Sequence, residues 1–153
     1  MITLVRTNSD NSDFKELVKK LDAEIAERDG ADHSFYDQFN TITNVKHVVI
    51  AYDDQSPIGC GSIKPFDGCT MEVKRMYVSP EYRGKGIATK ILLALENWAE
   101  EMLMTKCVLE TGKRQPEAIS LYKRNGYKSI PNYGQYAGIE NSVCFEKEIN
   151  SLI

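Results

Sequence analysis

The sequence lacks any apolar run approaching the roughly 18 residues that a membrane-spanning helix needs, so no membrane partner is expected. Its start, Met1-Ile2-Thr3-Leu4-Val5-Arg6, also lacks the charged-then-apolar layout of a secretory signal, and the expected location is the cytoplasm. Cysteines are few and scattered: Cys60, Cys69, Cys107 and Cys144 form no C-x-x-C pair, and three of them sit in apolar strand-like runs. They read as free, mostly buried thiols rather than a disulfide framework or metal cluster. The two histidines, His33 and His47, have no ligand spacing to each other or to a carboxylate, which argues against a zinc enzyme and predicts no metal. Nor is there an excess of charge of one sign. The balance of 19 Lys+Arg against 22 Asp+Glu leaves a net −3, which argues against a nucleic-acid partner. Any anionic ligand must then be held by local features.

What is present is ordinary for a globular protein. With 42% apolar and 27% charged residues, and no repeat, linker or low-complexity stretch, the 153 residues read as a single domain over 1–153 with a hydrophobic core of its own. Residues 2–6 read as a strand. Phe14, Leu17, Val18, Leu21 and Ile25 then recur at helical spacing, with Asp13 and Glu16 as a capping box and Gly30 as the stop. A second short helix is expected over 32–42 through Phe35, Phe39 and Ile42. The period changes at residues 47–52, and three successive antiparallel strands follow over 47–52, 57–64 and 71–78, broken by Asp53-Asp54-Gln55-Ser56 and Asp67-Gly68. In the third of them, strict alternation puts Glu72, Lys74, Met76 and Val78 on one face. Ile87, Ile91, Leu92, Leu95, Trp98, Ala99 and Met102 trace one stripe of a long helix, and 106–110 is a strand reached by a parallel crossover. Pro116 opens another helix that Gly126 ends, and residues 127–130 and 142–149 are the final strands. Between those strands lies a tyrosine-rich loop over 131–138.

The most informative stretch is Val78-Ser79-Pro80-Glu81-Tyr82-Arg83-Gly84-Lys85-Gly86-Ile87-Ala88-Thr89, between a strand and the long helix. Small residues there let backbone N–H groups at a helix start approach an anion, and Arg83, Lys85 and Lys90 add positive charge. A phosphorylated ligand is the natural occupant. The plainest alternative is a glycine-containing turn with a solvated basic rim. A phosphate-binding P-loop fails because the Gly-Lys-Ser/Thr ending is missing. A dinucleotide-binding unit fails as well: its glycine turn follows the strand at once, whereas here Ser79 to Arg83 intervene, and only 43 residues follow Glu110.

Arg83-x-x-Gly86-x-Ala88 resembles the Q/R-x-x-G-x-G/A signature of the GNAT superfamily of N-acetyltransferases. Ala118-Ile119-Ser120-Leu121-Tyr122, followed by Gly126-Tyr127, is similar to that family's A-x-x-L-Y-x-x-x-G-F/Y segment. The resemblance implies an α/β fold: a mixed, mostly antiparallel twisted sheet of about six to seven strands, splayed at the centre and flanked by about four helices. It implies an acyltransferase that moves the acetyl group of acetyl-CoA directly to a primary amine of a small molecule or peptide, with no covalent enzyme intermediate. The rival reading is a non-catalytic acyl-CoA-binding module on the same fold. The resemblance places the coenzyme A pyrophosphate on Arg83, Gly84, Lys85, Gly86, Ile87, Ala88 and Thr89 and its pantetheine arm along the edge of Met76, Tyr77 and Val78. Gln115 stands where the family commonly has an asparagine that contacts the cofactor. A bulge near residues 75–77 is expected to open the sheet.

Tyr122 occupies the position that in many members protonates the departing thiolate, and Glu72 the position of the catalytic glutamate of the histone-type members. The substrate end is expected to use Asp32, His33, Tyr36, Tyr133 and Tyr136, a composition suited to a cationic amine. Pairing of the tail's edge strands is an expected route to a homodimer.

Overall fold

The computed structural model describes residues 1–29 and 44–149. The second helix expected over 32–42 lies outside them, as do Gly30, Asp32, His33 and Tyr36. Seven strands form one sheet: β1 (Ile2–Thr7), β2 (His47–Asp53), β3 (Ser56–Asp67), β4 (Thr70–Val78), β5 (Lys106–Gly112), β6 (Lys128–Ile130) and β7 (Ser142–Glu148). Their order across the sheet is β1-β2-β3-β4-β5-β7-β6, antiparallel throughout except for the parallel β4–β5 pair. Among the described residues there are three α-helices, α1 (Ser12–Asp29), α2 (Ile87–Glu101) and α3 (Pro116–Arg124), against the about four implied by resemblance. None of them is long and apolar enough to cross a membrane.

The helices cover opposite faces. On one, Phe14, Leu17, Val18 and Leu21 of α1 pack on Val48, Ile50, Cys60 and Tyr77. On the other, Ile91, Leu92, Leu95 and Ala99 of α2, with Leu121 and Tyr122 of α3, pack on Val49, Ile63, Val73 and Leu109. Three cysteines are buried and Cys69 is exposed, all four as free thiols. The start of α1 differs from the expected capping box. Asn11, not Asp13, is the cap: its Oδ1 accepts from the backbone N–H groups of Asp13 at 2.8 Å and Phe14 at 3.1 Å. Asp13 is thereby free to accept the Tyr52 hydroxyl at 2.7 Å, which ties the helix start to β2.

The alternation assigned to β4 also needs correction. Pairing steps from Cys60↔Tyr77 to Ser62↔Lys74, so β4 carries one residue more than β3, and Arg75 takes φ 63°. This is the expected bulge. Because side chains alternate with a period of two, the extra residue flips the phase. Glu72 and Lys74 therefore stay on the α1 face while Met76 and Val78 join Met71 and Val73 beneath α2. The bulge's carbonyls are bound from β3: Ser62 Oγ donates to Lys74 O at 2.9 Å, and Cys60 Sγ to Arg75 O at 3.3 Å.

β4 and β5 pair over only three steps, Thr70↔Lys106, Met71↔Cys107 and Glu72↔Val108, and then part. That parting is the central splay. At the tail, β7 is enclosed by β5 and β6, so β6, three residues long, is the tail's outer edge. The loop between β6 and β7 is tied down by Asn132, whose Nδ2 donates to the carbonyls of Ile139 and Ser142, each at 3.0 Å.

Candidate active site

A cleft of about 530 Å³ occupies the gap where β4 and β5 part, closed by α1 on one side and by the starts of α2 and α3 on the other. At its α2 end, Gly84 and Gly86 take φ 78° and 79°, a left-handed conformation that costs other residues roughly 1–2 kcal/mol. Gly86 is the N-cap of α2 and offers no side-chain cap, no acidic residue follows in the first turn, and a Cβ built on either glycine meets no neighbouring atom of the described residues within 4 Å. The residues whose N–H groups a helix start leaves unpaired line the cleft there, with the helix dipole adding attraction for an anion. That is a cradle fit for a pyrophosphate.

Of the residues expected to hold the cofactor, Met76, Tyr77, Val78, Arg83, Gly84, Gly86, Ile87, Ala88, Thr89, Gln115 and Tyr122 all line this cleft. Lys85 is on its exposed rim, its Nζ 5.3 Å from the Tyr82 ring. Beyond Glu72 the ladder to β5 has ended, so the backbone edge of β4 from residue 73 to 78 borders the cleft without a strand partner on that side among the described residues. An extended ligand can use such an edge as an added strand would. Arg83 is anchored rather than mobile: its Nε donates to Val78 O at 2.8 Å and its Nη2 to Glu24 of α1 at 2.7 Å. Glu24 also faces Arg28 at 3.9 Å, and Arg28 pairs with Glu117 of α3, so a chain of charges links α1 to both helix starts around the cleft.

Tyr122 reaches the cleft from α3, with its ring edge-on to Tyr127 at 5.8 Å. Burial first, and then the Glu110 carboxylate, push its phenol pKa up from the usual value near 10. Under it lies a buried network in which Glu96 of α2 accepts from the Tyr127 hydroxyl at 2.9 Å and from Lys147 Nζ at 2.7 Å.

Glu72 enters from β4 and is 4% exposed. Its Oε2 accepts the Tyr133 hydroxyl at 2.7 Å, and Lys64 stands 3.8 Å from Oε1. Tyr133 does not itself line the cleft but positions the carboxylate that does, and Phe66 packs edge-on against it at 5.0 Å. Tyr136, 2% exposed, lines the cleft and accepts from Lys74 Nζ at 3.3 Å. Burial and the nearby carboxylates raise the pKa of both tyrosines. Sequence reasoning assigned no role here to Lys74, Arg75, Glu110 or the α1 carboxylate Glu24. An alternating strand gives no reason to send Lys74 and Arg75 into one cleft, and the bulge that does so has no composition signal of its own.

Burial pushes the thiols of Cys60 and Cys107 up to about 12 and that of Cys144 up to about 11, so none is a thiolate nucleophile near neutral pH. Among the described residues no group of His, Cys, Asp and Glu is arranged to hold a metal ion.

These features have parallels in known proteins. The family model for the acetyltransferase (GNAT) family matches residues 14–127. An IAA acetyltransferase of Azospirillum brasilense is 27% identical over 150 residues, covering 97% of this chain and 98% of the relative. Among solved structures, a protein of Klebsiella pneumoniae described as an acyl-CoA N-acyltransferase superposes with a TM-score of 0.82 at 27% identity, covering 98% of this chain and 99% of that one. The PaiA N-acetyltransferase of Thermoplasma acidophilum, solved in complex with coenzyme A, shares the fold with a TM-score of 0.69 at 20% identity, covering 97% and 99% of the two chains. The chain with this glycine cradle and split sheet belongs to the GNAT family and is an acetyl-CoA-dependent N-acetyltransferase.

Proposed function

We propose that this protein, acting as a single domain, transfers the acetyl group to a primary amine, with Glu72 as base and Tyr122 as acid. The observation that carries the reading is that one cleft is lined by Glu72, by Tyr122 and by the uncapped start of α2. Acetyl-CoA brings the activated thioester; the residues that would hold it are those of the 83–89 loop, with residues 76–78 and Gln115. An amine attacks only when neutral, and Glu72, buried and oriented by Tyr133, takes its proton directly or through water. The nitrogen bonds the acetyl carbon as the carbon–sulfur bond breaks. Of the two protons the ammonium loses, one ends on the coenzyme sulfur and one in solvent. Tyr122 holds its O–H toward the departing sulfur, and its raised pKa keeps that proton in place at neutral pH. Four cysteines without a disulfide suit a reducing compartment such as the cytoplasm.

The test is thiol release from acetyl-CoA across a panel of amines, amino acids, polyamines and peptides. Release above background hydrolysis is expected with primary amines and not with their tertiary counterparts. Tight coenzyme binding with no release from any amine would instead identify a non-catalytic module, which its relatives do not favour. Because transfer is direct, Cys144→Ala is expected to keep turnover within about twofold of the parent protein, consistent with a thiol that burial keeps protonated. Loss of activity in folded Cys144→Ala protein would reveal a covalent route.

A further inference from the structure

Two cations enter the acceptor side of the cleft beside Glu72, and deprotonating an amine requires neither of them. Lys74 and Arg75 both line the cleft. The Arg75 side chain is only 6% exposed, and its Nη1 donates to Asp22 of α1 at 2.9 Å. Its Nη2 is buried with no hydrogen-bond partner among the described residues. A guanidinium presents five N–H donors in a rigid fork, and a buried one with an unused nitrogen is costly unless a ligand completes it. Lys74 is half-buried, and its pKa is lowered, chiefly by burial. The strained backbone at Arg75, φ 63°, is what brings the two side chains of adjacent residues to this cleft.

A polyamine or other purely cationic acceptor would bring more positive charge to Lys74 and Arg75 and no acceptor for Nη2. A carboxylate supplies the acceptor that Nη2 lacks, through a charge-assisted hydrogen bond. Two neighbouring carboxylates are already engaged, Asp22 by Nη1 and Glu72 by Tyr133 with Lys64 facing it, while Glu110 lines the same cleft and acts on Lys74. A strand rises about 3.3 Å per residue and the bulge shortens the last step, so Glu72 and Arg75 spring from backbone positions at most roughly 10 Å apart. Two side chains several bonds long reduce that span to the dimensions of one small molecule.

We propose that the acceptor is an amino acid or close analogue, whose amine is presented to Glu72 while its carboxylate is bound by Arg75 with help from Lys74. This rests on the amine-acetylation reading above and narrows it. The product is then an N-acetylated amino acid, neutral at nitrogen and still anionic at the carboxylate, together with free coenzyme A. Arg75 is a specificity-determining residue in this scheme and takes no part in proton transfer.

The experiment compares thiol release with amino acids, with the amines that decarboxylation of each would give, and with their methyl esters. The parent protein is expected to favour amino acids over decarboxylated and esterified counterparts by about tenfold or more in kcat/KM. In Arg75→Gln that preference is expected to fall to about one, mainly through a higher KM for the amino acid. Titration with coenzyme A, which reads the other end of the cleft, shows that the variant is folded. If it is not, the ester and decarboxylated comparisons with the parent protein decide the matter alone. Decarboxylated amines matching their amino acids, or a preference that survives in Arg75→Gln, would overturn the proposal and leave amine acetylation intact. No release from any amine, with coenzyme binding intact, would overturn both.

Discussion

Gly86→Glu is expected to abolish coenzyme A binding while leaving the fold standing. The residue sits at φ 79°, ψ 8°, where a side chain costs roughly 1–2 kcal/mol in backbone strain. Against that, beyond the adjoining backbone no atom of the described residues lies within 4 Å of a Cβ built there, so none of them must move to admit the first atom of the new side chain. A carboxylate at a helix start is itself favoured by about 0.3–1 kcal/mol, which offsets part of the strain. The same carboxylate then occupies the N–H groups and the space that a pyrophosphate needs, and it repels the phosphates. Loss of at least about 100-fold in affinity is expected, equivalent to about 2.7 kcal/mol. Isothermal calorimetry reads the affinity and thermal unfolding the fold. Gly86→Ala separates the two causes, since it carries the strain without the charge and should weaken binding far less. Wild-type affinity in folded Gly86→Glu protein would mean that the cofactor binds elsewhere.

Tyr122→Phe is expected to lower kcat by about 100-fold with little change in coenzyme A affinity, the pattern of a lost acid whose loss is felt in the transition state. The ring stays: its edge contacts with Tyr127 at 5.8 Å and its packing near Phe145 at 6.3 Å do not use the hydroxyl. Only the O–H is removed. Burial and Glu110 raise the folded-state pKa of this phenol, so its proton persists as pH rises through 10, and the parent protein's rate should show no loss attributable to Tyr122 between about pH 6 and 9. A steep alkaline fall in that window, still present in Tyr122→Phe, belongs to another group. Unchanged turnover in the variant would remove Tyr122 from the mechanism.

The glycine cradle was legible because its evidence is local. Gly84 and Gly86 sit next to the helix whose start they form, and an anion site at a helix start follows from those few residues and backbone chemistry alone. The strands and long helices were legible for the same reason, since hydrophobic period is a property of consecutive residues. At the start of α1, Asn11 and Asp13 are both good cap residues; Asn11 caps the helix, and Asp13 accepts instead from Tyr52 on a distant strand, a contact that local sequence does not reveal.

The acceptor side of the cleft was mostly illegible. Its contacts join residues far apart in the chain, such as Tyr133 with Glu72, Lys74 with Tyr136 and Arg75 with Asp22. The expected substrate residues Asp32, His33 and Tyr36 lie outside the described part of the chain.

By itself, then, the sequence determined the order of the described strands and helices, the anion-binding helix start and the family signatures. Tertiary structure decided where the sheet parts, which face each β4 residue takes beyond Arg75, and that an acidic protein carries a buried arginine and a half-buried lysine in the cleft with Glu72. A single extra residue in one strand reverses every later side chain, and whether it bulges depends on the partner strand rather than on the residues that bulge.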